Sequence, residues 1–304
     1  MIKGKMRDWK SELQSIVPRA RFNEPLAPYT TFKIGGPADA FVEAQTAEEV
    51  LAILRAARSA DQKIFLLGWG SNLLVLDHGF RGIVLRLGGD FQKIDFLEGD
   101  LVRCGAAVRA PQLVVACAQR GLTGLEPIVG VPGTIGGALA MNAGTRDGEI
   151  GPFVEGIEIA DPRTAAVTNL SADAMEFSYR HGPLDGRIAL SCVLRLKQGS
   201  KGDIMAAVAK YQQKRLQTQP IHTFNVGSTF KNPPGRFAAQ MIEQLGLKGH
   251  AIGGARVSPM HANFIENFAG ASARDVLALI DLVQERARAT YGVGLELEMK
   301  VVGE

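Results

Sequence analysis

Short apolar runs along the chain predict buried strands, and helical patterns separate them. Runs of four to eight mostly apolar residues are typical of strands covered on both faces. The last segment instead alternates, with Glu296, Glu298 and Lys300 on one face and apolar residues on the other. These patterns predict strands at 64–67, 83–87, 155–160, 187–196 and 295–302.

Helix signals lie between these strands. Thr46 followed by Glu49 predicts a capping box at the start of one helix. Pro111 suits the first turn of another helix, which Gly121 ends. A third helix is expected to begin with Asp203 as its cap and to stop before proline, and two more are expected at 237–245 and 273–290.

The succession of elements predicts an α/β (α+β) chain of more than one domain. A length of 304 residues with 46% hydrophobic residues allows a large core and exceeds the usual size of one domain. The Gly199–Gly202 segment is a plausible boundary because a new helix follows it. We therefore expect a first lobe over 1–86, a second over 87–202 and a smaller C-terminal α/β domain over 203–304.

Composition excludes several classes of protein. A net charge of +3, with basic residues scattered, predicts no nucleic-acid footprint. Cys104, Cys117 and Cys192 are few and far apart, which favours buried thiols in a reducing compartment over a metal site. No signal-like segment and no apolar run of about 18 residues occurs, so we expect a cytoplasmic protein with no membrane partner.

Two glycine-rich loops are the strongest pointers to a ligand. One extends over Gly130–Gly144, and the other, Gly68–Val75, follows the apolar run 64–67. Bare backbone lets an anion or a planar ring lie against peptide N–H groups. Neither loop matches the P-loop or a convincing G-x-G-x-x-G pattern. Two such loops predict a large phosphorylated cofactor that is held from two sides by their N–H groups.

Polar residues outside these loops allow two interpretations each. Ser228 either caps a turn or presents a reactive hydroxyl. Arg180 either forms a structural ion pair or binds a carboxylate or phosphate. Glu298 lies on a solvated strand face or in a site. His261 and Asn263 form a structural pair or contact ligand, and Arg215 complements a helix dipole or reaches a diphosphate.

Seven motifs in order resemble the UDP-N-acetylenolpyruvoylglucosamine reductase (MurB) family, from about residue 23 to residue 303. The resemblance implies the two-lobed FAD-binding fold of the vanillyl-alcohol oxidase type plus a C-terminal substrate domain. A short path from Arg180 to Ser228 is similar to the compact subtype that lacks an inserted tyrosine loop. The motifs are 30–36, 70–75, 124–126, 130–144, 177–180, 227–233 and 261–264.

The resemblance also implies roles for individual residues. Ser228, Arg180 and Glu298 are the expected catalytic residues. The expected substrate-binding residues are Lys231, Asn232, Arg215, His261 and Asn263. The expected cofactor-binding residues are Ile34, Gly68, Gly70, Ser71, Asn72, Leu73, Gly130, Gly133, Thr134, Gly136, Gly137, Ala138, Asn142 and Gly144.

The implied reaction is reduction of the enolpyruvyl group of UDP-N-acetylglucosamine enolpyruvate. Non-covalent FAD is implied as cofactor and NADPH as co-substrate, with hydride delivered from FAD N5 and a proton from Ser228. We expect a monomer. Two other readings stay open: a different flavin-dependent sugar or alcohol oxidoreductase on this fold, or a non-catalytic nucleotide-binding module.

Overall fold

A computed structural model describes residues 9–304, and these residues divide into two compact units. The first comprises residues 9–23, 39–68 and 82–212. The second comprises residues 24–38, 69–81 and 213–304. Short segments from the N-terminal third of the chain thus belong to the same unit as the C-terminal residues. The three-domain boundaries expected from the sequence stay a prediction.

The helices of the described residues alternate with strands through most of the chain, so the fold is mixed α/β. None of the helices between residues 9 and 304 is long and apolar enough to cross a membrane. The helices are α1 Trp9–Ile16, α2 Ala47–Ser59, α3 Ala110–Gln119, α4 Ile135–Ala140, α5 Lys201–Thr218, α6 Ala238–Gln244 and α7 Ala273–Tyr291.

The strands are mostly short. They are β1 Arg21–Pro25, β2 Pro37–Ala44, β3 Ile64–Leu66, β4 Leu73–Val75, β5 Phe80–Leu87, β6 Ile94–Phe96, β7 Leu101–Gly105, β8 Leu122–Thr123, β9 Gly144–Thr145, β10 Gly148–Glu149, β11 Val154–Asp161, β12 Ala166–Ser171, β13 Ile188–Arg195, β14 Lys197–Gln198, β15 Ala251–Ile252, β16 Ala255–Val257, β17 Ile265–Asn267 and β18 Lys300–Val302.

Two larger sheets account for half of these strands. One has the order β1-β2-β5-β3, in which β3 and β5 run parallel, and the other has the order β12-β11-β13-β7-β6 with antiparallel neighbours. A continuous apolar core in the first unit includes residues of α2, α3, β5, β7 and β13. Burial of apolar area on this scale is the main force that stabilises such a unit.

The second unit has a separate core. Helices α6 and α7 contribute buried apolar residues to it, and so does the small antiparallel sheet β15-β16-β17. Strand β4 pairs in parallel with β18, so Leu73 lies opposite Lys300 and Val75 opposite Val302. A capping box formed by Ser272 and Asp275 begins α7, and the carboxylate of Asp77 also accepts hydrogen bonds from its first N–H groups. The glycine loop that precedes β4 is thereby held beside the C-terminal strand.

Most predicted elements are confirmed, with three corrections. At α2, Thr46 accepts the N–H of Glu49 as expected, but the Glu49 carboxylate binds the N–H of Gln45, so the box is not reciprocal. Helix α5 begins at Lys201, and its cap is Ser200 rather than Asp203, because the Ser200 hydroxyl accepts the Asp203 N–H at 3.5 Å.

The third correction concerns the C-terminal segment. Regular strand structure is confined to β18, whereas the predicted strand was 295–302. The alternation holds for Leu295 and Met299, which are buried, but Val301 is exposed. The residues before β18 hydrogen-bond to a different partner, the segment 229–231, so the chain changes neighbour near Glu298.

The three cysteines are buried and free, as predicted. Burial raises the pKa of the Cys117 thiol to about 12. Cys104 and Cys192 lie opposite each other on β7 and β13 with 3.4 Å between their sulfur atoms. Among the described residues, no cluster of three or more His, Cys, Asp or Glu side chains could hold a metal ion.

Candidate functional site

Parts of the two glycine-rich loops meet in the first unit. A Cβ added at Gly68 would lie 2.9 Å from the Thr134 hydroxyl oxygen. Thr134 is the N-cap of α4, and the same oxygen accepts the N–H of Gly137 at 3.3 Å. The first loop therefore needs bare backbone where it approaches the second, and Thr134 is the point of contact.

The N–H groups of the second loop are mostly used within the chain, which differs from the sequence expectation. Ile135 N–H donates to Val108, Gly136 N–H to Ala106 and Ala138 N–H to Thr134, each at 2.8 Å. The first two of these bonds tie α4 to the segment after β7. Few N–H groups of 135–138 are left for a diphosphate, so these positions do not support the expected anion site, and its assignment stays a prediction.

Gly137 is the glycine of α4 that packing does not explain. It is exposed, and an added Cβ would find only the Thr134 hydroxyl oxygen, at 3.6 Å. Glycine within a helix is about 1 kcal/mol less favourable than alanine. A Cβ added at Gly136, by contrast, would lie 3.1 Å from the Ala106 side chain. A flat bare surface at Gly137 fits a ring or phosphate group lying on it, so the residues present are compatible with FAD.

Arg180 lies at the tip of a tight turn in the first unit. Ser178 and His181 exchange both backbone hydrogen bonds at 3.0 Å. Arg180 has a φ of 57°, and its guanidinium lies 5.0 Å from the centre of the Tyr179 ring. A left-handed conformation is unfavourable for arginine, which makes this turn a candidate for function rather than simple connection.

In the second unit, Thr31 joins the first glycine loop to the segment before Ser228. Its hydroxyl donates to the carbonyl of Asn225 at 2.6 Å, and its N–H donates to the carbonyl of Gly70 at 3.1 Å. Gly70 has a φ of 67°, and an added Cβ would collide with the Tyr29 carbonyl at 2.2 Å. Thr31 lies in the 30–36 motif, but its role as a link between these two segments was not predicted from the sequence.

Ser228 and Glu298 are brought together in the second unit by backbone pairing. The N–H of Glu298 donates to the carbonyl of Thr229 at 2.8 Å, and Lys231 N–H donates to the carbonyl of Glu296 at 2.8 Å. Phe230 and Leu297 form a bridge between these bonds. The serine is thus one residue from a position paired directly with Glu298.

Asn72 of the first glycine loop contacts the same strand. Its side-chain amide donates to the carbonyl of Glu298 at 3.1 Å, and its own carbonyl accepts the N–H of Lys300 at 3.0 Å. A predicted cofactor residue is therefore bonded to the backbone of a predicted catalytic residue. Any change in the loop is transmitted directly to Glu298.

Asn263 holds the serine segment from its other side. Its side chain accepts the Phe230 N–H at 3.0 Å and donates to the Phe230 carbonyl at 2.8 Å. Its backbone carbonyl accepts the Thr229 N–H at 2.8 Å. Asn263 is buried and also donates its N–H to Nδ1 of His261 at 3.3 Å. These contacts correspond to the structural pair rather than to a substrate contact.

Other predicted substrate residues also have partners within the chain. Lys231 forms an ion pair with Glu296 at 3.3 Å, and the side-chain oxygen of Asn232 accepts the N–H of Ala238 at the start of α6. Arg215 lies in the last turn of α5 and donates to Gln219 at 2.9 Å. Burial lowers the pKa of its guanidinium.

Ile34 and Asn142 are placed differently from most of the predicted cofactor residues. The Ile34 side chain belongs to the core of the second unit, and Asn142 is fully buried in the first. Side-chain contacts of these two residues with a cofactor have no support in their positions. Their assignment, like that of the other cofactor residues, stays a prediction.

Protonation of His261 is expected to destabilise the second unit at acid pH. Burial lowers its pKa from the ordinary value of 6.5, and the nearby charge of Lys248 adds to this while that of Glu243 opposes it. Because Nδ1 accepts the Asn263 N–H, protonation there removes a hydrogen bond. The stability that this hydrogen bond contributes is therefore fully present above pH 6.5 and is lost as the pH falls through the folded-state pKa.

The measurement is the midpoint of urea unfolding between pH 5 and pH 8. The variant His261→Asn keeps an acceptor near the position of Nδ1 but does not titrate in this range. We expect the native chain to lose more stability below pH 6.5 than this variant does. Parallel pH profiles for the two proteins would refute the role of His261.

Two family models match parts of the chain that contain these predicted site residues. The model of the UDP-N-acetylenolpyruvoylglucosamine reductase C-terminal domain matches residues 219–302. The model of an FAD-binding domain matches residues 38–168. The first range contains the Ser228 and Glu298 segments, and the second contains Gly68 and the whole of the second glycine-rich loop.

Individual relatives match nearly the whole chain. A UDP-N-acetylenolpyruvoylglucosamine reductase of Anaeromyxobacter sp. (strain Fw109-5) is 40% identical over 98% of this chain and 93% of its own. The reductase of Bacillus subtilis (strain 168) is 39% identical over 92% of this chain and 93% of its own.

Solved structures agree with these relatives. The crystal structure of UDP-N-acetylenolpyruvylglucosamine reductase (MurB) from Thermus caldophilus has a TM-score of 0.81 and 37% identity, covering 94% of this chain and 98% of that one. Phl p 4.0202, a glucose dehydrogenase, has a TM-score of 0.50 at 12% identity over 64% of this chain and 45% of that one. The second likeness is one of fold alone, and together with the matched FAD-binding domain it confirms the expected FAD-binding fold.

Proposed function

The chain belongs to the UDP-N-acetylenolpyruvoylglucosamine reductase family, and from that premise we propose how its residues carry out the reaction. The activity is the FAD-dependent reduction of an enolpyruvyl sugar nucleotide, a step of peptidoglycan precursor synthesis. We propose NADPH as the reductant. One observation carries the assignment of residues: the pairing of 229–231 with 296–298, which places Ser228 and Glu298 on adjacent segments.

The chemistry requires one group that no side chain provides. FAD, when bound, supplies the hydride to the methylene carbon of the enolpyruvyl group. Gly68, Thr134 and Gly137 of the first unit are the residues whose bare or polar surface would hold it there. Gly70 and Asn72, in the second unit, belong to the same predicted cofactor loop as Gly68.

Ser228 is proposed to protonate the carbon next to the carboxylate. Its hydroxyl is half-buried on a segment pinned from both sides, by Glu298 through the Thr229 carbonyl and by Asn263. A donor held in one place transfers its proton without a search through rotamers or solvent. Acid–base catalysis by a positioned group contributes about 10²–10⁴-fold.

Arg180 and Glu298 are proposed to bind the substrate carboxylate. A guanidinium is always charged and presents a fork that matches two carboxylate oxygens, so Arg180 stabilises the negative charge that develops. Glu298 is proposed to be protonated or to share a proton, because an ionised Glu298 would repel the same carboxylate. Lys231, Asn232 and Arg215 stay the proposed contacts to the rest of the nucleotide.

The test is NADPH oxidation by the purified protein with and without the enolpyruvyl sugar nucleotide. We expect a yellow protein whose NADPH consumption depends on the nucleotide, with one lactyl ether formed for each NADPH consumed. An oxidase on the same fold would instead consume oxygen with a sugar or an alcohol. A colourless protein that takes up no added FAD would contradict the proposal. A cytoplasmic, monomeric protein stays part of the same proposal.

A further inference from the structure

We propose that Asn142 is a positioning residue that holds Arg180 in its binding conformation. This inference rests on the proposed function, in which Arg180 binds the substrate carboxylate. The sequence analysis assigned Asn142 to the cofactor. Its contacts instead connect the end of the glycine-rich loop to the turn that carries the arginine.

The turn that presents Arg180 has a residue poorly suited to its conformation. Ser178 and His181 close a two-residue connection, with Tyr179 and Arg180 between them. Arg180 occupies the position with positive φ, 57°, where glycine or asparagine is usual. The intrinsic preference of arginine therefore opposes this backbone, so other parts of the structure must stabilise it.

Asn142 provides that stabilisation from beneath the turn. It is fully buried, and its side-chain nitrogen donates to the carbonyl of Ser178 at 3.1 Å. That carbonyl also accepts the His181 N–H that closes the turn. The side-chain oxygen of Asn142 accepts the N–H of Gly151 at 3.0 Å. Both ends of the amide are therefore used, and its orientation is determined.

The surrounding backbone leaves no space for another side chain to replace the amide. Gly182, directly after it, donates to the carbonyl of Ala140 at 3.2 Å. A Cβ on Gly182 would lie 1.7 Å from the Leu139 carbonyl oxygen. A Cβ on Gly151 would lie 2.9 Å from the Asn142 side-chain oxygen and 2.9 Å from the Phe177 ring. Backbone packs directly on backbone here, so a lost amide cannot be replaced by a small shift.

These contacts separate two roles for Asn142. A cofactor residue would affect FAD affinity, whereas a positioning residue would affect the reaction with the sugar nucleotide. Asn142 has no exposed side-chain surface for a cofactor to contact. We therefore expect its removal to displace the guanidinium, and a displacement of about 1 Å can reduce a rate by about 10²-fold.

The experiment is a double-mutant cycle of Asn142→Ala and Arg180→Lys in the FAD-loaded protein. The measurements are FAD affinity, the rate of flavin reduction by NADPH, and kcat and KM for UDP-N-acetylglucosamine enolpyruvate. Asn142→Ala alone is expected to lower kcat/KM for the nucleotide by about 10–100-fold and to change FAD affinity by less than about threefold. In the Arg180→Lys background its effect should shrink to a few-fold, because the two residues act as a unit.

A second variant keeps the test valid if Asn142→Ala does not fold. Asn142→Asp preserves the shape and the acceptor for Gly151 but, when ionised, cannot donate to Ser178. Its kcat/KM should recover as the pH falls and the introduced carboxyl gains a proton, which the native protein should not show. The exposed Asn169 on β12 supplies the matched control, Asn169→Ala, which should behave as the native protein does.

The inference would be overturned if Asn142→Ala lowered kcat/KM equally in the native and the Arg180→Lys proteins. It would also be overturned if a loss of FAD affinity accounted for the whole effect. A flat pH profile for Asn142→Asp would also overturn it. Failure of the native protein to reduce the nucleotide would instead contradict the proposed function, so the two failures are distinguishable.

Discussion

Replacement of Ser228 by alanine is expected to slow reoxidation of the reduced protein by the sugar nucleotide by at least about 100-fold. The Ser228 hydroxyl is the proposed source of the proton, and alanine has no proton to supply. Reduction of the flavin by NADPH should stay near the native rate, because that half-reaction does not use this proton. The measurement is anaerobic stopped-flow absorbance of each half-reaction separately.

The variant Ser228→Cys serves as the control for this prediction. It keeps an ionisable proton at nearly the same position, so its reoxidation rate should lie between those of the native protein and Ser228→Ala. Reoxidation of Ser228→Ala at the native rate would show that another group donates the proton. The hydrogen-bonded backbone of 229–231 should keep its position in the alanine variant. FAD content is measured as well, because the rates can be compared only if it is unchanged.

Replacement of Arg180 by glycine is expected to abolish most of the reaction with the nucleotide while leaving the fold at least as stable. Loss of a charged group that stabilises the transition state typically reduces kcat by about 10²–10³-fold. Glycine adopts the positive φ of 57° without strain, and relief of about 1 kcal/mol corresponds to a rise in Tm of about 2 °C. An arginine kept for stability would show the opposite change in Tm.

Asp61 offers a matched control for the backbone effect. It is exposed and also has a positive φ, 50°, in the first unit. Asp61→Gly should change Tm in the same direction and leave both half-reactions unchanged. If Arg180→Gly lowered Tm by several degrees and lost activity in both half-reactions alike, the arginine would be a structural residue and its binding role would be wrong.

Local patterns predicted the elements of the fold well where a segment is buried against its own neighbours. The strands near 64–67 and 83–87 and the helix with Pro111 in its first turn are where the sequence patterns place them. The C-terminal strand was predicted too long because its pairing partner changes along its length. That change depends on segments more than 60 residues away, which no local period reports.

Polar side chains at the candidate site were harder to interpret from the sequence. Asn142 and Asn263 lie in motifs that suggest ligands, yet both amides are bonded to backbone groups inside the chain. Buried amides must find hydrogen-bond partners, and the sequence does not say whether these are protein or ligand atoms. Gly136 and Gly137 likewise look equivalent in sequence, and only their surroundings separate a packing glycine from a bare one.

Anaerobic single turnover tests the central claim most directly. The FAD-loaded protein is reduced with one equivalent of NADPH, mixed with UDP-N-acetylglucosamine enolpyruvate in the absence of oxygen, and followed through the flavin absorbance. The account predicts full return of the oxidised spectrum with one equivalent of the lactyl ether product. A protein that stays reduced until oxygen is admitted would contradict it.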